Sequence, residues 1–154
     1  MLKLEVLGVS PDPAYQPVVL LRHEDRVLPI VVGVAEADAI LAALTKRNIG
    51  RPMTHDLICN LLAGLRGQLL SVTIYKLERD TFYAYLEVQQ HDVNGDLQQA
   101  LKIDTRPSDG IAIALRVNCP IMVAPEVMDQ ASQDMSNLTA QEEPDDGPDE
   151  NDFE

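Results

Sequence analysis

The sequence predicts an α+β domain over residues 1–133, in two layers, with a mixed or antiparallel sheet built from two β3α2-like repeats. Three observations carry that reading. Strand-like runs come in threes, within 1–32 and again within 69–103. Each set is followed by segments whose apolar residues recur at helical spacing. Within the sets, short polar turns join neighbouring runs, which is the connection antiparallel strands use.

The elements follow in order. Leu2, Leu4 and Val6 alternate with Lys3 and Glu5, giving a half-buried strand over 1–9. Pro11, Pro13 and Pro17 mark a loop. Val18–Arg22 and Val27–Val32 are apolar runs joined by His23-Glu24-Asp25-Arg26, a hairpin pattern. Glu36–Arg47 places Ala37, Ile40, Leu41 and Leu44 on one helical face and is stopped by Asn48, Gly50 and Pro52. Thr54–Arg66 is a second helix, with Thr54 as its expected N-cap and Leu57, Ile58, Leu61, Leu62 and Leu65 as its expected buried stripe. Leu69–Leu77, Phe82–Gln90 and Leu97–Ile103 are three further strands. Arg79-Asp80 and Asn94-Gly95 supply the turns, and Asn-Gly is a strong hairpin signal. Alternation along the third turns Leu101 and Ile103 to the core and Lys102 and Asp104 away from it. Pro107–Val117 is apolar nearly all round, so it is expected to be buried on most sides. Ile121–Val123 adds a short strand and Pro125–Gln133 a last helix. A local match supports the duplication: laying Ile30 on Ile103 puts Glu36 on Asp109, Ala39 on Ala112 and Ile40 on Ile113.

Composition narrows the class. The chain has 154 residues, 45% of them hydrophobic, with no tryptophan, so an aliphatic core of one domain is expected. Cys59 and Cys119 have no paired spacing, which fits free thiols in a reducing cytoplasm. Met1-Leu2-Lys3-Leu4 runs straight into strand patterning, without a leader's apolar run, and no stretch has the length of a membrane span. The formal charge of -13 is concentrated at one end: residues 134–154 hold nine acids and no base. The remainder carries sixteen acids against twelve bases, about -4. That balance excludes a broad positive field for non-specific nucleic-acid or membrane-surface binding. A nucleic-acid groove must then be local, with Arg47, Arg51, Arg66, Arg106 and Arg116 as its candidates. The acidic, proline-containing segment 134–154 is expected to be a disordered tail.

Two polar clusters stand at the mouths of apolar helices. One is Arg51-Pro52-Met53-Thr54-His55-Asp56 and the other is Asp104-Thr105-Arg106-Pro107-Ser108-Asp109. Each has a purely structural explanation. Thr54 caps and Asp56 complements the helix dipole; Pro107 suits the first helical position and Asp109 the third, with Arg106 pairing a neighbouring acid. Glu36 serves the first helix in the same way. Brought together, the clusters have functional chemistry. Asp104, Asp109 and Glu36 are hard oxygen donors suited to Mg²⁺ or Mn²⁺. Arg51 and Arg106, with Thr54, suit phosphate binding. Without metal, His55 is a general base oriented by Asp56 or Asp104, with Arg106 stabilising charge. The chain has no Walker loop, GxGxxG, GxSxG or HExxH.

At these residues the chain resembles the bifunctional nuclease family. The matching positions are Leu28-Pro29-Ile30 with Gly33; Glu36-Ala37; Arg51-Pro52 with Thr54-His55-Asp56-Leu57; Phe82-Tyr83-Ala84; Asp104 with Arg106-Pro107-Ser108-Asp109; and Pro120-Ile121. Gly110 stands where the family usually has alanine. The resemblance implies an α+β fold, a homodimer or other homo-oligomer, and cleavage of DNA and RNA. The first hypothesis is therefore a metal-assisted or acid–base phosphodiesterase of nucleic acid, with His55, Asp56, Asp104, Arg106, Ser108 and Asp109 as its catalytic site and Glu36 as an outer candidate. The alternative is a non-catalytic dimeric module that recognises a small anionic ligand or a protein partner.

Overall fold

The computed structural model describes residues 1–11 and 16–139. The chain runs β1 (Leu2–Pro11), β2 (Pro17–His23), β3 (Arg26–Val31), α1 (Val34–Leu44), α2 (Thr54–Gly64), β4 (Gly67–Glu78), β5 (Thr81–His91) and β6 (Leu97–Thr105). It continues through α3 (Pro107–Val117), β7 (Ile121–Val123), α4 (Pro125–Ala131), β8 (Gln133–Asp134) and α5 (Met135–Thr139). The eight strands form one mixed sheet in the order β6-β5-β4-β7-β1-β2-β3-β8. Every pairing is antiparallel except β4 with β7. The two sets of three strands meet only through β7, which sets Ile121 beside Leu4 on one side and Val72 on the other. An α+β fold is what the patterning predicts.

Helix α3 is the keystone of the helical layer. It packs on α1, α2, β4 and β5. Ile111, Ala112, Ile113 and Ala114 are all buried, as expected for a helix apolar nearly all round. Gly110 allows the close approach: a Cβ there would stand 2.7 Å from Cγ1 of the fully buried Val72. Leu21, Leu28, Ile40, Ile74 and Met128 complete an aliphatic core.

Several local expectations change. Thr54 is the first helical residue of α2, and Met53 holds the N-cap position. Asp56 therefore sits third in the helix and accepts a hydrogen bond from the Met53 N–H at 2.8 Å. The leucine stripe of α2 is split. Ile58 and Leu62 pack against the core, while Leu57, Leu61 and Leu65 are more than half exposed. Periodicity gives a shared face but does not say whether a neighbour covers it, and α2 lies at the rim with His55 as its one buried residue. Ile103 keeps the expected face, opposite the core residue Leu86, but remains 39% exposed because β6 is an edge strand with no partner on its outer side among the described residues. Residues 134–139, assigned to the tail, are regular: β8 pairs with β3, and the Met135 N–H donates to the Asp25 carbonyl at 2.9 Å. The rest of the expected tail, from residue 140, lies outside the described residues.

Candidate active site

Helices α1, α2 and α3 each carry an acid at the third helical position: Glu36, Asp56 and Asp109. That position faces unpaired N–H groups and the positive end of the helix dipole, so each carboxylate has a local reason to be there. The tertiary fold then sends them to two destinations.

Asp109 and Glu36 meet. His55 Nε2 lies 2.9 Å from Asp109 Oδ1. Arg106 Nε donates to Asp109 Oδ2 at 3.0 Å, and its NH2 nitrogen donates to Glu36 Oε1 at 3.0 Å. The result is a continuous chain, His55–Asp109–Arg106–Glu36, linking the starts of all three helices. It lines an open cleft of about 700 Å³. Thr54 and Asp104 line the same cleft, with Ile58, Leu86, Ile103 and Ile113 as its apolar wall. The His55 side chain is only 11% exposed, whereas that of Arg106 is 67% exposed. Hydrogen bonding to Asp109, and then to Glu36, raises the already high pKa of the Arg106 guanidinium. Glu36 reaches Arg106 by folding over Gly33, since its Oε2 occupies the space a side chain at that position would need.

Asp56 goes elsewhere. Its Oδ1 accepts from Arg116 Nε at 2.7 Å, and the Arg116 side chain is 10% exposed. Arg116 also donates to the carbonyls of Ala39 and Ala112 at 3.0 and 2.8 Å, tying α1 to α3. Burial alone would raise the Asp56 pKa; the Met53 N–H and the Arg116 guanidinium outweigh it and hold the carboxyl below its ordinary value.

The structure thus sorts the residues the sequence singled out. Glu36, Thr54, His55, Asp104, Arg106 and Asp109 share the cleft. Asp109, rather than Asp56 or Asp104, is the residue against His55. Asp56 lies outside the cleft lining, as does Ser108, which is buried and borders a separate depression with Gly33 and Phe82. Arg51 is exposed in the loop before α2 and does not line the cleft. Of the proposed basic cluster, Arg47 pairs with Asp38 and Arg116 is consumed by Asp56. Arg116 is therefore no part of a nucleic-acid groove: an arginine in a helix buried on most sides must find a partner, and Asp56 is that partner.

Among the described residues no three His, Cys, Asp or Glu side chains converge to hold a metal ion. The Glu36 and Asp109 carboxylates are bridged by Arg106, so in this arrangement they do not fit a preassembled Mg²⁺ or Mn²⁺ site.

The family model of the bifunctional nuclease domain matches residues 18–136. The chain belongs to that family. An uncharacterized protein of Mycobacterium tuberculosis is 43% identical over 134 residues, covering 84% of this chain and 75% of that protein. Bifunctional nuclease 1 of Arabidopsis thaliana is 29% identical over 119 residues, and bifunctional nuclease 2 of Oryza sativa subsp. japonica is 31% identical over 116. This bifunctional nuclease domain covers only 36% and 35% of those two plant proteins. No described helix is long and apolar enough to cross a membrane.

Proposed function

We propose that this protein hydrolyses phosphodiester bonds of DNA, RNA or both in the cleft at the three helix starts. The chain from His55 through Asp109 to Arg106, open to solvent at Arg106, is the observation that supports the reading. Asp109 on Nε2 fixes the imidazole and leaves Nδ1 as the nitrogen that exchanges a proton with the attacking hydroxyl. Asp109 also stabilises the imidazolium that results, as the carboxylate does in other carboxylate–histidine pairs. Arg106 offers its guanidinium to the charge that builds on the non-bridging phosphate oxygens. Asp104 borders the cleft at the end of β6, but its register opposite Tyr85 turns its side chain to the other face of the sheet, so its variant tests whether the rim takes part.

The test is cleavage of single-stranded DNA and RNA by the purified protein with Mg²⁺, with Mn²⁺ and with EDTA, beside His55→Ala, Asp109→Asn and Asp104→Asn. Cleavage that survives EDTA and is lost in the first two variants supports the metal-free route. Cleavage that needs metal and is lost in Asp104→Asn assigns a metal to the cleft and requires Arg106 to leave the carboxylates. No cleavage by the wild type moves the assignment to a non-catalytic module that binds a small anion or a protein partner at Arg106, since the net acidity of the chain opposes a polyanion more than either.

Assembly as a homodimer belongs to the same proposal. Two observations support it: the unpaired edge of β6 and the exposed Leu57, Leu61 and Leu65. Sedimentation equilibrium of the wild type and of Ile103→Lys checks this; a monomeric wild type overturns it.

A further inference from the structure

The cleft is not the only place where this fold gathers recognition chemistry. On β5, Tyr83 and Tyr85 alternate with Ala84 and Leu86, which belong to the core, so the two rings point to the opposite face of the sheet. The β4–β5 register shifts between Ile74 and Lys76, and Tyr75 lies within that shift. Its ring joins the other two, at 6.4 Å from Tyr83 and 5.5 Å from Tyr85 between centroids, tilted in both cases. Two ammonium groups lie over the rings: Lys76 Nζ is 4.3 Å from the Tyr83 centroid and Lys102 Nζ 4.8 Å from that of Tyr85. Tyr75 is 39% exposed although it is a large ring on a sheet. Alternation puts Tyr83 and Tyr85 on one face of β5, and cross-strand contact packs Tyr75 against both. Packing alone does not account for the exposure of the Tyr75 ring, nor for cations held over ring faces.

We propose that Tyr75, Tyr83 and Tyr85, with Lys76 and Lys102, form a platform for single-stranded nucleic acid that leads into the cleft. The inference rests on the phosphodiesterase reading above for its direction, and on the rings and cations for its substance. Aromatic faces accept any base by stacking, and nearby cations take the phosphates. The ammonium groups occupy the positions bases would take. On binding, each moves from its ring to the phosphate of the nucleotide that displaces it. Ring separations of 5.5 and 6.4 Å exceed the ~3.4 Å step of stacked bases. Bases on neighbouring rings are therefore unstacked from each other, which an extended single strand permits and a duplex does not. Charge sets the limit of the contact. Glu78 pairs with Lys76 at 3.2 Å, and Glu87 is the cross-strand partner of Lys102, so about two phosphates are neutralised rather than many. Continuity with the cleft comes through β6. Asp104 shares the face of its cross-strand partner Tyr85 and borders the cleft at the end of β6, where Arg106 follows two residues later.

The experiment measures binding apart from hydrolysis. Fluorescence anisotropy with labelled oligothymidylate and oligouridylate of about ten nucleotides, in EDTA and with oligomer integrity checked on gels, compares wild type with Tyr75→Leu/Tyr83→Leu and Tyr75→Phe/Tyr83→Phe. Leucine keeps the bulk and removes the π face, and phenylalanine keeps both. The leucine pair is expected to weaken binding at least tenfold, since losing one stacked base costs roughly 5- to 150-fold. The phenylalanine pair is expected to stay within about twofold of wild type, because it retains the stacking surface. Lys76→Gln/Lys102→Gln lowers the salt dependence by ~0.7 per lost phosphate contact in log–log slope. Hydrolysis of bis(p-nitrophenyl) phosphate, too small to reach from the cleft to the rings, is expected to be unchanged by the tyrosine variants. Tyrosine-dependent binding without any hydrolysis upholds the platform and sinks the phosphodiesterase reading. Absence of binding by wild type to both oligomers, or equal binding by the leucine pair, overturns the platform. A preference between the two oligomers decides whether DNA or RNA is its ligand.

Discussion

Two arginines in this molecule hold carboxylates that stand at the third position of a helix, and they differ in surroundings. Arg116 is enclosed; its partners are Asp56 and two backbone carbonyls, and every one of them is spoken for. Arg106 has the same kind of partners in Asp109 and Glu36 but two-thirds of its side chain faces solvent. A buried guanidinium that loses its partner leaves a desolvated charge, so the Arg116 contact is structural. An exposed guanidinium can exchange its carboxylates for a ligand's oxygens at little cost, because water screens both arrangements. The sequence places the two carboxylate types identically, and only the tertiary fold separates the clamp from the site.

The largest expected effect comes from breaking the clamp. Arg116→Ala removes the charge partner of Asp56 and the tie between α1 and α3, and is expected to cost about 3–5 kcal/mol in equilibrium urea unfolding. A loss under 1 kcal/mol would remove the distinction drawn between the two arginines. Next come His55→Ala and Asp109→Asn, expected to lower cleavage by about 10²–10⁴-fold with a cooperative melt retained. Unfolding of both variants would make the cleft a structural joint. Arg106→Ala is expected to lower cleavage ~10²–10³-fold, the loss typical of one charge-stabilising donor. The same variant should change stability by less than ~1 kcal/mol, as for other exposed ion pairs.

The smallest effect is in acid. Asp56 has a folded pKa below its ordinary 3.8, so its contribution to stability is complete above that value. It is lost as pH falls through the lower, folded value, because the unfolded chain takes up the proton first. Asp56→Asn should therefore flatten the melting temperature against pH below about pH 4, relative to wild type. An unchanged acid limb would show that Asp56 is not held by Arg116 in solution.

Much of this architecture could be read from the chain because local signals and tertiary need agree. Pro107 opens α3 and Asp109 sits third, as turn chemistry alone requires, and the helix buries all round as its composition demands. The meeting of His55, Arg106 and Asp109 is legible in two polar helix mouths taken as one site, and Glu36 joins them from a third helix start. Other features depended on what lies opposite. Asp56 and Asp109 have the same local grammar, and nothing within a few residues of either reveals that one meets Arg116 and the other His55. The exposed half of the α2 stripe is a similar case, since leucine spacing is identical whether or not another layer covers it. The tyrosine platform was invisible for a third reason. It arises from a register shift in β4 that brings Tyr75 toward residues on the next strand, and alternation counted along one strand cannot show it.

Gly33 gives the cleft a steric dial on its electrostatics. Because the Glu36 carboxylate rests in the space above that glycine, adding a methyl group there would push a flexible carboxylate away without touching any ionisable residue. Gly33→Ala would then act as a remote key for Arg106. Every charge would remain in the chain, yet one guanidinium nitrogen would be released from its intramolecular acceptor and made available to whatever anion enters from outside.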